Sequence, residues 1–108
     1  MKNEELLHVG SRKSFDTQEI VMLEAQENYT KIHLVSGKIF MSSTTLGKIE
    51  LRLKGNPYFF RTHRTFLVNL NYVTAYKEKS IEVENNRNVT LSRRRKERFQ
   101  SIFKSLNS

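Results

Sequence analysis

Seven consecutive residues, SRRRKER from Ser92 to Arg98, carry five cations and one acid. The chemistry such a run supports is anion binding, because guanidinium groups donate paired, charge-assisted hydrogen bonds to phosphate and carboxylate. Downstream, Phe99, Ile102, Phe103 and Leu106 fall at i, i+3, i+4 and i+7, so the segment reads as an amphipathic C-terminal helix with Ser92 as its N-cap. The arginines then sit on the first turn, where aligned peptide dipoles are already positive, and each exposed one costs about 0.3 to 1 kcal/mol. A phosphate reverses the sign, since backbone N–H groups, dipole and guanidinium groups all favour the same anion. The competing reading is a solvated charge run with no ligand.

A second basic stretch is RTHRTFLVNLNYV, Arg61 to Val73, in which two arginines and a histidine directly precede an apolar run. A strand or tight turn must hold Phe66, Leu67 and Val68 inside while Arg61, His63 and Arg64 emerge at its edge. Rigid backing of that kind suits groove reading: Arg64 can donate two hydrogen bonds to guanine O6 and N7, and Thr65 can reach phosphate or a thymine methyl. The competing reading for Arg61 is a pair with a carboxylate. Asn69 and Asn71 are expected to bond backbone rather than ligand. In a third place, AQENY, Asn28 can pair bidentately with adenine, and Tyr29 and Lys31 can reach sugar or phosphate; an ordinary β-turn explains the same residues.

Catalysis has little footing in the residue types present. His8, His33 and His63 lack metal-ligand spacing, Asp16 is the only aspartate, and no Gly-rich phosphate loop or G-x-S-x-G elbow occurs. With no cysteine there are no disulfides, thiol nucleophiles or thiolate metal sites. The expectation is no enzyme, no catalytic residues, no cofactor and no metal.

The chain has 108 residues, 19 Lys and Arg against 11 acids, and a net charge of +8, a balance that favours polyanions. Residues 1 to 58 hold 8 basic and 7 acidic side chains while residues 59 to 108 hold 11 and 4, so the excess lies in the second half. The N-terminal MKNEELLHVGSRK lacks the apolar run of a signal peptide, and no stretch approaches membrane-spanning length. A cytoplasmic protein with no membrane partner is expected.

The elements that must position these groups are mostly strands. His8 to Phe15 reads as one short strand of mixed polarity; IVML and, after AQEN, YTKIHLV read as two strands; Ser36-Gly37-Lys38 turns into a third, KIFMSS. Leu46, Ile49 and Leu53 fall at helical offsets, with Thr44 or Thr45 as cap and Gly55-Asn56-Pro57 as the stop. VTAYKEK and SIEVEN are further strands, followed by an Asn85–Asn88 turn into VTLS. No repeat or linker divides the chain.

Taken in order, IVMLEAQENYTKIHLVSGKIF, TTLGKIELRL, FFRTHRTFLVNLNYV and VTLSRRRKERF resemble the LytTR DNA-binding domain of bacterial transcription regulators, over residues 20 to 103. The resemblance implies a mostly β, elongated arrangement of small antiparallel sheets with two short helices. Residues 20–108 form the domain on this reading, and 1–19 are an N-terminal segment with a first strand. It also implies sequence-specific binding of double-stranded DNA, with loops entering successive major grooves and repeated half-sites bound as a homodimer. Carried over by position, it implicates Asn28, His63, Arg64 and Arg94 at bases, and Lys31, Thr65, Arg93 and Lys96 at phosphates, with Tyr29 beside them. Thr65 stands where serine is common, which keeps the hydroxyl. Members usually carry a receiver or sensor module ahead of this domain, in the same or another chain. Fewer than twenty residues precede the match here, so the chain is expected to be a stand-alone regulator or part of something longer. The rival functions are a basic protein-interaction module and a single-stranded nucleic-acid-binding β-module; exposed Tyr29 and Tyr76 would serve the latter.

Overall fold

The computed structural model describes residues 5–107. Its centre is a five-stranded antiparallel sheet of order β5-β4-β3-β7-β6, built from β3 (Ile20–Gln26), β4 (Tyr29–Leu34), β5 (Ile39–Ser42), β6 (Phe59–His63) and β7 (Phe66–Asn69). β-Branched and aromatic residues recur in each of these strands, and the alternation of apolar positions decides which side chains lie on each face. Leu23, Ile32 and Leu67 point to one side, Met22 and Val68 to the other, as the pairing of Leu23 with Ile32 and Leu67 requires.

Each face has its own core. On the first, the hairpin of β1 (Leu6–His8) and β2 (Ser14–Asp16) and the helix α1 (Leu46–Arg52) supply Leu7, Val9, Phe15, Leu46 and Ile49, all buried. On the second lies a three-stranded sheet of order β10-β9-β8, made of β8 (Val73–Tyr76), β9 (Ser80–Val83) and β10 (Arg87–Thr90), together with α2 (Arg93–Leu106). Ile81, Val83, Val89, Leu91 and a fully buried Phe99 fill that side. Phe99 packs edge-on against Phe60 and Tyr76 and stacks with Phe103. Burying one such ring removes enough apolar surface to contribute about 2 to 3 kcal/mol, so α2 is anchored by its apolar stripe.

The mostly β architecture of small antiparallel sheets with two helices is as expected. The outline is flatter than the expected elongated shape, with extents of 38 × 37 × 25 Å, because layers cover both faces of one sheet. Three local expectations are corrected. His8 to Phe15 is not one strand: Gly10, Ser11 and Arg12 all take positive φ, and this reverses the chain between β1 and β2. The turn after β9 is Glu84–Asn86, with Asn85 and Asn86 at positive φ, and Arg87 and Asn88 already belong to β10. Thr45 and Ser92 occupy the N-cap positions, but neither side chain accepts a cap hydrogen bond. At Ser92 the Arg95 N–H donates to the Ser92 carbonyl instead, at 3.0 Å.

Asn69 bears out its structural role. Its buried amide donates to the Thr17 and Ile20 carbonyls and its Oδ1 accepts from the Asn71 N–H, joining the start of β3 to the end of β7.

Alternation puts His33 on the polar face of β4, yet it is 4% exposed. Its Nε2 lies 3.3 Å from Glu24 Oε1, and Nδ1 is buried without a partner. Burial lowers its pKa below the usual imidazole value, and Arg87 and Lys31 push the same way against the raising effect of Glu24.

Two outcomes follow for stability. At Gly10, φ is +91° and an added Cβ would come within 2.6 Å of Thr44 Oγ1, a hydroxyl bonded to the Val9 carbonyl. Gly10→Ala is therefore expected to cost about 1 to 2 kcal/mol for the left-handed backbone, more if Thr44 cannot turn away, read from urea unfolding midpoints. For His33, the unfolded chain takes up a proton below about pH 6.5 that the folded chain resists. Stability from this group is thus full above that pH and declines as pH falls toward the depressed folded value. His33→Gln, which keeps a donor toward Glu24 without titrating, should show a shallower loss of unfolding free energy between neutral and mildly acidic pH than the parent.

Candidate nucleic-acid interface

Three loops carry the basic groups, and backbone hydrogen bonds fix how they sit. The tip of the β3–β4 hairpin is Glu27 and Asn28, with Glu27 at φ +49°. Beside it runs the β6–β7 turn of Arg64 and Thr65, because β3 pairs with β7 and the Ala25 N–H donates to the Thr65 carbonyl at 2.8 Å. The third loop joins β10 to α2, where the Ser92 N–H donates to the Thr62 carbonyl at 2.8 Å. The β3–β4 hairpin and the start of α2 are each bonded to the β6–β7 hairpin.

Arg61 shapes that central hairpin. Its Nε donates to the His63 carbonyl at 3.1 Å, one Nη donates to the Arg64 carbonyl and the other to Glu50 Oε1 on α1. The carboxylate reading is correct for this residue, and the guanidinium does more: it ties the turn's carbonyls back toward α1. Strand pairing shifts between Arg61 and His63, so Thr62 is wholly buried at an irregularity in the ladder.

The groups Arg61 leaves outside are the ones the sequence singled out. His63 Nδ1 accepts from the Thr65 N–H at 3.1 Å, which in a neutral ring puts the proton on Nε2 and makes that edge a donor. The ring is tilted against Phe66, centroids 6.2 Å apart, and this limits its rotation. Arg64 is exposed and its guanidinium has no hydrogen bond or ion pair among the described residues.

Across an open cleft stands the N-terminus of α2. His63, Arg64, Ser92, Arg93, Arg94 and Arg95 line the same concavity. The first turn of α2 has no acid to offset its dipole, and Ser92 Oγ is buried without a partner. Unpaired N–H groups and several guanidinium groups make this a surface that favours an anion. The fold thus brings His63, Arg64, Arg93 and Arg94, four of the residues singled out in the sequence, to one cleft.

The remaining candidates lie elsewhere. Asn28 and Tyr29 are exposed at the β3–β4 tip, Tyr29 by 51%, and neither lines the cleft. Lys31 is half-buried on β4 opposite Glu24 of β3. Thr65 contributes its N–H to His63 and its carbonyl to Ala25. Lys96 is turned away from the cleft lining toward Glu78 of the β8–β9 turn, Nζ to Oε1 2.5 Å. Sequence reasoning left Ser92 and Arg95 out of the contact set; the unbroken RRR run was a signal for Arg95, whereas nothing local marks an unpartnered Ser92 hydroxyl.

A family model for the LytTr DNA-binding domain matches residues 11–104. By sequence the chain is similar to the CO-responsive transcriptional regulator RcoM of Rhodospirillum rubrum, with 32% identity over 74 residues. That alignment covers 68% of this chain and 30% of the relative, so the chain spans under a third of that protein's length. Among solved structures it is similar in fold to the LytTr DNA-binding domain of a methyl-accepting/DNA response regulator from Bacillus cereus. The TM-score is 0.71 and the identity 20%, covering 94% of this chain and 97% of that one.

If Arg61 holds the turn, Arg61→Met should lower stability by roughly 1 to 3 kcal/mol, the usual worth of hydrogen bonds to a charged donor in a partly buried place. It should also speed amide hydrogen exchange at Thr65 more than at residues in the middle of β3. Unchanged exchange at Thr65 would show that the turn keeps its shape without the guanidinium.

Proposed function

The chain belongs to the LytTr DNA-binding domain family, and from that premise we propose that it recognises specific duplex sequences to control transcription. The observation that carries the reading is the cleft in which His63 and Arg64 face the arginine-bearing N-terminus of α2. Arg64 suits a bidentate bond to guanine in the major groove, Asn28 a pair with adenine, and His63, through its Nε2–H, an acceptor on a base edge. Arg94 serves as a further base contact. Arg93, Lys31, Thr65, Lys96 and the free amides of α2 act on phosphates, and Tyr29 packs beside the backbone.

Base contacts alone do not position a protein, so the phosphate contacts on both sides of Arg64 set its approach angle while Arg64 reads. Two copies on repeated half-sites, as a homodimer on DNA, would double the contacts and supply the discrimination one small domain lacks. The name of the Rhodospirillum rubrum relative supports a role in transcription, with a sensor or receiver module delivering the signal. The residue types favour binding without catalysis, cofactor or metal; no group of three or more His, Cys, Asp or Glu among the described residues could hold a metal ion. No helix of the described residues is long and apolar enough to cross a membrane, and we place the protein in the cytoplasm with its DNA. Single-stranded binding is less well supported, since Tyr76, one of two rings it would need, packs edge-on against Phe99 and Phe103.

Selection from random duplexes at physiological salt, then titration of the winning and scrambled duplexes, tests the reading. Enrichment of paired short repeats, bound at least about a thousandfold tighter than scrambled DNA, is expected. Arg64→Ala should relax discrimination by about 1 to 3 kcal/mol at one base pair, whereas Arg93→Ala should weaken all duplexes alike and reduce the salt slope by about 1. Equal behaviour of the two variants would overturn the division between reading and positioning groups, and absence of any enriched sequence would overturn the reading itself.

A further inference from the structure

The β8–β9 turn belongs to none of the three loops above, yet it lies against the helix that carries the arginines. Lys77, Glu78 and Lys79 are all exposed there. The turn is closed by the Lys77 N–H donating to the Ser80 carbonyl at 2.8 Å. It is held to the start of α2 by the Leu91 N–H, which donates to the Lys79 carbonyl at 3.0 Å one residue before Ser92. Out of the turn the Glu78 carboxylate reaches Lys96 Nζ at 2.5 Å. Among the described residues no other acid forms an ion pair with a cation of α2. The hydrogen bond and charge of Lys96 hold the Glu78 carboxyl below the usual carboxylate range, with smaller help from Lys79 and Arg93, so it remains ionised.

An exposed pair of this kind adds little to stability, because water solvates both partners well. Its electrostatic effect on an incoming polyanion is another matter. A carboxylate beside Lys96, Lys79 and Arg93 neutralises part of the surface that would otherwise attract any phosphate backbone, whatever its sequence.

We propose that Glu78 is a specificity-determining residue that stands in for a backbone phosphate on Lys96 in the free protein, and that the β8–β9 turn is a fourth DNA-facing element. On a correct duplex, base contacts hold the backbone close enough for Lys96 to exchange the carboxylate for phosphate, and Lys77 and Lys79 close on the neighbouring backbone. On a wrong duplex no base contact compensates for displacing Glu78, so nonspecific binding stays weak. Specificity here comes partly from a repulsive group, as it does where partners must be rejected as well as accepted. The inference rests on the duplex-binding reading and assigns it a further surface.

The experiment is titration of the selected duplex and a scrambled duplex of equal length over a range of salt, with the parent chain, Glu78→Gln, Lys79→Gln and Glu84→Gln. Glu84 is exposed on the β9–β10 turn and serves as a control for loss of one negative charge away from α2. Glu78→Gln should tighten scrambled binding by about 3- to 10-fold, tighten selected binding less, and steepen the salt slope on scrambled DNA by about 1. Lys79→Gln should weaken both duplexes and flatten the slope, and Glu84→Gln should change neither ratio nor slope. A Glu78→Gln chain that melts at the parent's temperature and binds both duplexes as the parent does would overturn the inference while leaving the duplex reading intact. The inference fails equally if Glu84→Gln matches Glu78→Gln, since net charge would then suffice. A parent chain that binds no duplex at all would sink reading and inference together.

Discussion

The cleft between the β6–β7 turn and the start of α2 depends on where the Thr62–Thr65 backbone is held. Thr62 offers its carbonyl to the Ser92 amide at the start of α2, and Thr65 offers its own to β3. Between them Arg61 draws the His63 and Arg64 carbonyls inward. A turn whose carbonyls all point to fixed donors cannot rotate freely, so the side chains on its other side keep their direction. The large charge beside the core is explained by this division of labour: one arginine is consumed in shaping the backbone so that the next can be presented unpaired.

Polar groups are also buried in this otherwise apolar wall. Thr62, Asn69 and Ser42 are almost wholly inside, and Asn69 and Ser42 bond backbone of a distant segment, Asn69 to Thr17 and Ile20, Ser42 to Val9. Each such bond offsets the cost of removing a polar group from water and penalises any alternative pairing of the strands. The packing of the sheet is therefore specified twice, by the apolar alternation of β3, β4 and β7 and by a buried amide and hydroxyl whose acceptors lie on distant segments.

Much of this was legible in the chain itself. Period-two alternation in YTKIHL and the i, i+3, i+4, i+7 series from Phe99 to Leu106 are strong signals because one face of each element is buried. The basic segments that line the cleft stood out as well, since unpaired arginines next to an apolar run are costly without a ligand. What escaped depended on partners far along the chain or on backbone shape. Ser11 and Arg12 adopt positive φ without being glycine, so only Gly10 hinted at the β1–β2 reversal. His33 shares the alternation of exposed Tyr29 and half-buried Lys31, and only packing across β4 reveals that it is covered. Arg61 and Arg64 are the same residue type three positions apart, and no local feature says which is bound to carbonyls and which is free. Lys96 finds Glu78 only after the second sheet has folded beneath α2.

The two cores on opposite faces of one sheet carry a last implication, for cooperativity. Phe99 fixes α2 into the second core, while Leu7, Val9 and Phe15 belong wholly to the first. The helix that presents the cations can therefore loosen from its side of the shared wall while the opposite layer stays packed, in the manner of units that open at less than the global free energy. Any polyanion seated on the start of α2 then acts as a clasp on the second layer alone, raising its resistance to opening and leaving the first layer's local protection unaltered.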